Sequence, residues 1–214
     1  TFENSDITEI ILPGTITEIQ DYAFNGCRKL KTIYAKNATK IGEYAFNDCI
    51  MLKNLFLLSE IESIGKYAFQ FCINLISVEI HDGVISIEEG AIYECGKLSS
   101  VILSETITSI GKWAFGNCSS LASIKLPKFL TSIGCEAFRR SGLTTITIPQ
   151  GVTLIENDTF RDCSELSTVK LLGSVTSIGS NAFRESGLKT ISMAQIIKTI
   201  GEEAFYGCNH LDFI

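Results

Sequence analysis

Ile107-Thr-Ser-Ile-Gly-Lys-Trp-Ala-Phe-Gly-Asn-Cys-Ser-Ser-Leu-Ala-Ser-Ile-Lys-Leu-Pro127 is a line that this chain repeats every 22 or 23 residues. Its phenylalanine recurs at Phe24, Phe46, Phe69, Phe115, Phe138, Phe160, Phe183 and Phe205, with Ile92 in the one gap. Self-similarity at this period marks a solenoid, in which each unit buries its apolar face against its neighbours. About nine such units, with a partial strand at Ile7 to Pro13, share one linear core. Residues 1–214 therefore read as a single domain, although the length alone would allow two.

Within a unit the spacing changes once. Ile124 and Leu126 alternate with Ser123 and Lys125, a period of two that predicts a short strand ended by Pro127. Pro13 and Pro149 hold the same place in their own units. Farther on, Ile133, Ala137, Phe138 and Ser141 lie at i, i+4, i+5 and i+8, which predicts a short helical piece. The expected fold is an α/β repeat. It is a right-handed solenoid with a parallel sheet on its concave face and short helical or 3-10 segments on its convex face. The glycine at Gly42, Gly65, Gly111, Gly134, Gly179 and Gly201 is expected to ease a tight helix entry. Where the cysteine becomes Ser141 or Ser186, the next leucine comes one residue early, as Leu143 and Leu188, so a second repeat subtype with a tighter turn is expected.

The quoted line resembles the BspA-type (Treponema pallidum-like) leucine-rich repeat, and the resemblance runs along essentially the whole chain. It implies a right-handed leucine-rich-repeat solenoid, secreted or held at a cell surface, with adhesion to host or bacterial proteins as the usual suggested role. It offers no catalytic residues to carry over.

The composition, 45% hydrophobic with mean hydropathy +0.24, is that of a globular chain. The apolar run at Leu55-Phe56-Leu57-Leu58 falls far short of the ~18 residues of a membrane span. Net charge is −6 and no basic stripe is present, which argues against nucleic acid and against a polybasic membrane anchor. Because the chain starts at Thr1 and stops at Ile214 inside a strand, it reads as a section of a longer protein or a mature form.

Seven of the eight cysteines, Cys27, Cys49, Cys72, Cys95, Cys118, Cys163 and Cys208, share one repeat position. A line of parallel thiols neither converges on a metal nor aims the Cβ vectors that a disulfide needs. They are expected to be buried free thiols acting as small apolar fillers, with Cys135 outside the column and open to solvent. His81 and His210 stand apart from any convergent nucleophile and acid. No enzyme activity, metal or cofactor is expected. Three sequons, beginning at Asn37, Asn117 and Asn157, are near the number that chance produces in a Ser/Thr-rich chain.

What remains is the outward side of the sheet. One column reads Ile11, Tyr34, Phe56, Glu79, Ile102, Lys125, Thr147, Lys170 and Ser192, and its beginning is apolar where a solvated strand should be polar. The candidate partner-binding residues are Ile11, Tyr34, Phe56, Leu58, Glu79, Ile102 and Lys125. Another column, Tyr22, Tyr44, Tyr67, Gly90, Trp113, Glu136, Asp158, Asn181 and Glu203, is aromatic in its first half and polar in its second. The expected function is extracellular or cell-surface recognition of a protein ligand by a monomer, through the concave face. A structural spacer in a cell-surface protein and an intracellular interaction scaffold are the alternatives.

Overall fold

A computed structural model describes residues 1–56, 61–192 and 196–212, with Phe56 described by its main chain only. Among these residues seventeen short strands follow one another. They are β1 Glu9–Ile11, β2 Glu18–Ile19, β3 Thr32–Tyr34, β4 Lys40–Ile41, β5 Asn54–Phe56 and β6 Ser63–Ile64. Next come β7 Ser77–Ile80, β8 Ser86–Ile87, β9 Ser100–Leu103, β10 Ser109–Ile110, β11 Ser132–Ile133 and β12 Thr145–Ile148. The last are β13 Leu154–Ile155, β14 Thr168–Leu171, β15 Ser177–Ile178, β16 Thr190–Ser192 and β17 Thr199–Ile200.

They form two sets of parallel ladders. Longer strands pair as β1-β3-β5, β7-β9 and β12-β14-β16, and two-residue strands pair as β2-β4-β6, β8-β10-β11 and β13-β15-β17. Each residue meets its equivalent one repeat later, as in Ile11↔Tyr34↔Phe56 and Thr147↔Lys170↔Ser192. The second set was hidden from a period-of-two reading, because two residues are too few to alternate.

One expected strand is missing its ladder. Residues 123–126 keep the alternation, with Ile124 and Leu126 buried and Ser123 and Lys125 exposed, but they pair with neither β9 nor β12. Side-chain period reports which way a residue faces, not whether its main chain meets a partner.

The expected helical or 3-10 convex segments are overturned, since no helix occurs among the described residues. Linked tight turns take their place. Ala23, Asn25 and Cys27 donate their N–H groups three residues back, to Gln20, Tyr22 and Phe24. The N–H groups between them cross to the next coil, from Tyr22 to Glu43 O (2.9 Å), Phe24 to Ala45 O (2.8 Å) and Gly26 to Asn47 O (2.8 Å). Tyr22 has φ 57° and Gly26 φ 71°, as the third residue of a type II turn requires. Positive φ at every fourth residue is incompatible with an α-helix, which holds φ near −63° and spends its N–H groups internally. The helix-like spacing of Ile133, Ala137, Phe138 and Ser141 does predict burial correctly, since all four are buried.

The glycine column also has another cause. None of its six members has a positive φ. A Cβ on Gly111 would lie 2.8 Å from Glu88 C and Glu89 N, and one on Gly42 would lie 2.5 Å from Asp21 N. The glycine lets two coils touch main chain to main chain.

The core is one continuous apolar cluster threaded by the phenylalanine column. Phe24, Phe46 and Phe69 stack at centroid distances of 5.3 and 5.4 Å with planes 1° apart. Phe115, Phe138, Phe160, Phe183 and Phe205 form a second run at 5.4–5.6 Å. That spacing exceeds the ~4.8 Å strand rise, so the rings are offset, the favoured geometry for aromatic pairs. Phe2 extends the first run, 5.3 Å from Phe24, and the Ser5 hydroxyl meets the Cys27 thiol at 3.5 Å. Ser141 and Cys163 (3.5 Å) and Ser186 and Cys208 (3.3 Å) repeat that contact. Phe2-x-x-Ser5 therefore opens a further unit of the serine subtype, a signal present in the sequence 22 residues before Phe24.

Phe138 is fully buried between Phe115 and Phe160. Phe138→Ala should cost about 3–5 kcal/mol of stability in urea denaturation, by loss of transfer energy and the cavity left behind. A loss under about 1 kcal/mol would contradict this packing.

Candidate binding face

Outward residues of the longer strands build the candidate face. Ile11 is 74% exposed, Tyr34 38% and Ile102 55%, and Glu79 and Lys125 are exposed as well. Parallel register brings Ile11 beside Tyr34, and Glu79 beside Ile102. The Phe56 main chain is the register partner of Tyr34, while its side chain and Leu58 lie outside the described residues. Lys125 belongs to the unladdered coil, and its Nζ meets Glu105 Oε1 at 3.0 Å. Glu105 also accepts the Lys128 N–H, and these contacts, the main-chain one first, hold its carboxyl below the usual range. The candidates thus fall into two places: an apolar start at Ile11 and Tyr34, and a mixed region around Glu79, Ile102 and Lys125.

Next to Ile102 the structure joins residues that sequence reading left apart. The Ser104 hydroxyl donates to Asp82 Oδ1 at 2.5 Å and shares a hydrogen bond with Thr106 at 2.8 Å. His81 Nδ1 instead faces Glu79 Oε1 at 3.8 Å. Serine and acid bond directly, with no imidazole between them to take the hydroxyl proton, so the cluster stabilises a turn. Among the described residues no group of three or more His, Cys, Asp or Glu has the arrangement to hold a metal ion.

The aromatic column packs on itself. Tyr22, Tyr44 and Tyr67 stack at 5.1 and 5.0 Å, and Tyr67 donates its hydroxyl to Glu89 at 2.8 Å. A Cβ on Gly90 would run into the Tyr67 ring, which accounts for the break in the column there. Beyond it Lys112 Nζ sits 3.8 Å over Trp113. In the polar half Arg139 meets Glu136 at 2.7 Å, Arg161 meets Asp158 at 3.1 Å, and Arg184 pairs with Glu203. Every residue of this column has a positive φ, from Tyr22 at 57° to Glu203 at 53°.

The thiol column does more than fill space. Cys49 donates to Phe24 O at 3.1 Å, Cys72 to Phe46 O at 3.2 Å and Cys118 to Ile92 O at 3.2 Å. Phe24 O and Phe46 O already close turns by accepting the Cys27 and Cys49 N–H groups, and each thiol ties its coil to the one before. Alternation of apolar residues carries no trace of such a bond. All eight cysteines are free, and Cys135 is half-buried rather than open. Burial pushes the Cys163 thiol up to about 11 and Cys118 up to about 12.

Residues 1–105 and 86–212 match the family described as "BspA type Leucine rich repeat region (6 copies)". The chain belongs to the BspA-type leucine-rich-repeat family. Its fold is similar to a leucine-rich cell surface protein from Faecalibacterium prausnitzii A2-165 (28% identity, TM-score 0.66). A leucine-rich-repeat protein from Bacteroides ovatus is also similar (26% identity, TM-score 0.64). Each match covers 96% of this chain and 65% of the other, so the chain spans less than two thirds of either relative. The T. pallidum leucine-rich-repeat protein shares the fold at 23% identity and TM-score 0.57, over 96% of this chain and 78% of that one. No curated protein matches the chain. The matching family is a repeat family, not an enzyme family. Among the described residues no helix is long and apolar enough to cross a membrane.

The thiol column generates a pH dependence. These groups hold their protons in the fold to higher pH than in the unfolded chain, near 9. Their contribution is fully present below pH ~9 and is lost as pH climbs through the folded values. The urea midpoint should therefore fall steadily between pH 8.5 and 10.5, and Cys163→Ala should flatten part of that slope. An unchanged slope in that variant would mean its thiol ionises freely in the fold.

Proposed function

We propose that the chain is a non-enzymatic recognition module which binds a protein ligand through the outward face of its longer strands. The observation that carries this reading is the exposure of Ile11, Tyr34 and Ile102 at register-matched outward positions. Water disfavours the apolar surface that these side chains expose. Exposed apolar groups set among polar neighbours mark interaction surfaces, and aromatic anchors tend to dominate the energetics of such surfaces. The face runs along successive coils, and an extended surface of this kind suits a macromolecule. A similar protein from F. prausnitzii is described as a cell surface protein, and an extracellular or surface-held setting fits this chain by that likeness.

The test is a binding screen of the purified chain against purified extracellular proteins by biolayer interferometry. For a ligand so found, Ile11→Ser plus Tyr34→Ser should lower affinity at least tenfold, about 1.4 kcal/mol, without changing the urea midpoint. Ser192→Ala on the last of the longer strands should change it less than twofold. Equal binding by both variants and the parent would place the interaction elsewhere.

A further inference from the structure

The unladdered coil at residues 123–126 lies beside a cleft of about 330 Å³. Its floor is apolar, formed by Ile124, Leu126, Ile146, Pro149 and the exposed Leu172. Between β12 and β14 the main chain is consumed by coil-to-coil hydrogen bonds. Here it is not. Ala122 O accepts the Thr144 N–H at 3.0 Å, but residues 123–126 make no main-chain hydrogen bond to a neighbouring coil among the described residues. Main-chain N–H and C=O groups seldom go without partners, so those of this segment that no neighbouring coil engages are left to water or to a ligand.

The charge around the cleft has one sign. Lys125 and Lys128 line it, and Lys170 projects from β14 beside Thr147, a lining residue. Among the described residues one ion pair involves these three ammonium groups, Lys125 with Glu105, while Lys128 Nζ lies 4.7 Å over the Phe129 ring. The local field is therefore positive although the chain as a whole carries −6. The three lysines are exposed, whereas Ile124, Leu126 and Ile146 are buried.

We infer that this cleft seats an extended acidic segment of the protein ligand. An aliphatic side chain fills the floor, carboxylates face Lys125, Lys128 and Lys170, and the segment's peptide groups bond to the main chain of residues 123–126. Alternation of aliphatic and acidic side chains fits, because an extended peptide turns successive side chains to opposite sides. The inference rests on the recognition reading above and adds a second contact, at the opposite end of the candidate face from Ile11 and Tyr34.

The test uses the full chain and a fluorescein-labelled octapeptide of alternating Glu and Val, with Gln-Val and Lys-Val peptides of equal length as comparators. Fluorescence polarisation at 50 mM salt should show the Glu-Val peptide binding at least tenfold more tightly than either comparator. Lys125→Glu plus Lys170→Glu should abolish that preference. Lys36→Glu plus Lys40→Glu, the same charge change at exposed sites away from the cleft, should keep it. Leu172→Ser should weaken Glu-Val binding about fivefold without altering the urea midpoint. Equal binding of the three peptides, or equal loss in the two double-lysine variants, would overturn the inference, the latter by showing bulk electrostatics alone. Ile11→Ser plus Tyr34→Ser should leave peptide binding unchanged. The recognition reading falls separately, if that variant retains full affinity for the protein ligand of the screen.

Discussion

Hydrogen bonds that run between coils on the turn side hold the fold in register. Every second N–H there leaves its own coil, as from Phe24 to Ala45 and from Phe46 to Ala68. A coil alone would leave these donors unpaired in the core, which costs far more than an ordinary hydrogen bond returns. Neighbouring coils therefore dock at one spacing, and the other columns inherit it. The phenylalanine stacks, the thiol-to-carbonyl bonds and the glycine contacts are consequences of that docking.

Irregularities show which parts of the repeat can vary. Ile92 replaces a phenylalanine and stays fully buried, so the column tolerates a change of shape where volume and apolarity are kept. Ser141 and Ser186 replace cysteines without leaving a polar orphan, because each hydroxyl meets the thiol of the next coil. The positive-φ columns accept tyrosine, tryptophan, glutamate and arginine as well as glycine. Side chains at those places gain stacking or ion pairs, as at Tyr44 and Glu136, which offset the steric cost of the left-handed conformation.

Two consequences for function follow. Outward positions of the sheet side are exposed, and their chemistry drifts along the stack from apolar at Ile11 and Tyr34 to basic at Lys125 and Lys170. The turn side is bound by its own needs, and its rings and charges are largely spent on one another. The fold shared with bacterial leucine-rich-repeat proteins fixes the architecture, and any function rests on the particular side chains that this chain displays on it.

The sequence by itself determined the solenoid, the period, the phenylalanine core and the outward column, because burial follows side-chain type and a repeated burial pattern needs no coordinates to be read. Ile11, Tyr34 and Ile102 were found in that way. Main-chain geometry was decided only by the tertiary structure. Spacing of i, i+4, i+5 and i+8 is shared by a helix and by linked turns with positive φ, and only contact with the next coil selects between them. For the same reason the thiol bonds, the glycine contacts and the missing ladder at residues 123–126 escaped the sequence. Each depends on where a main-chain atom of another coil lies, and no residue type records that position.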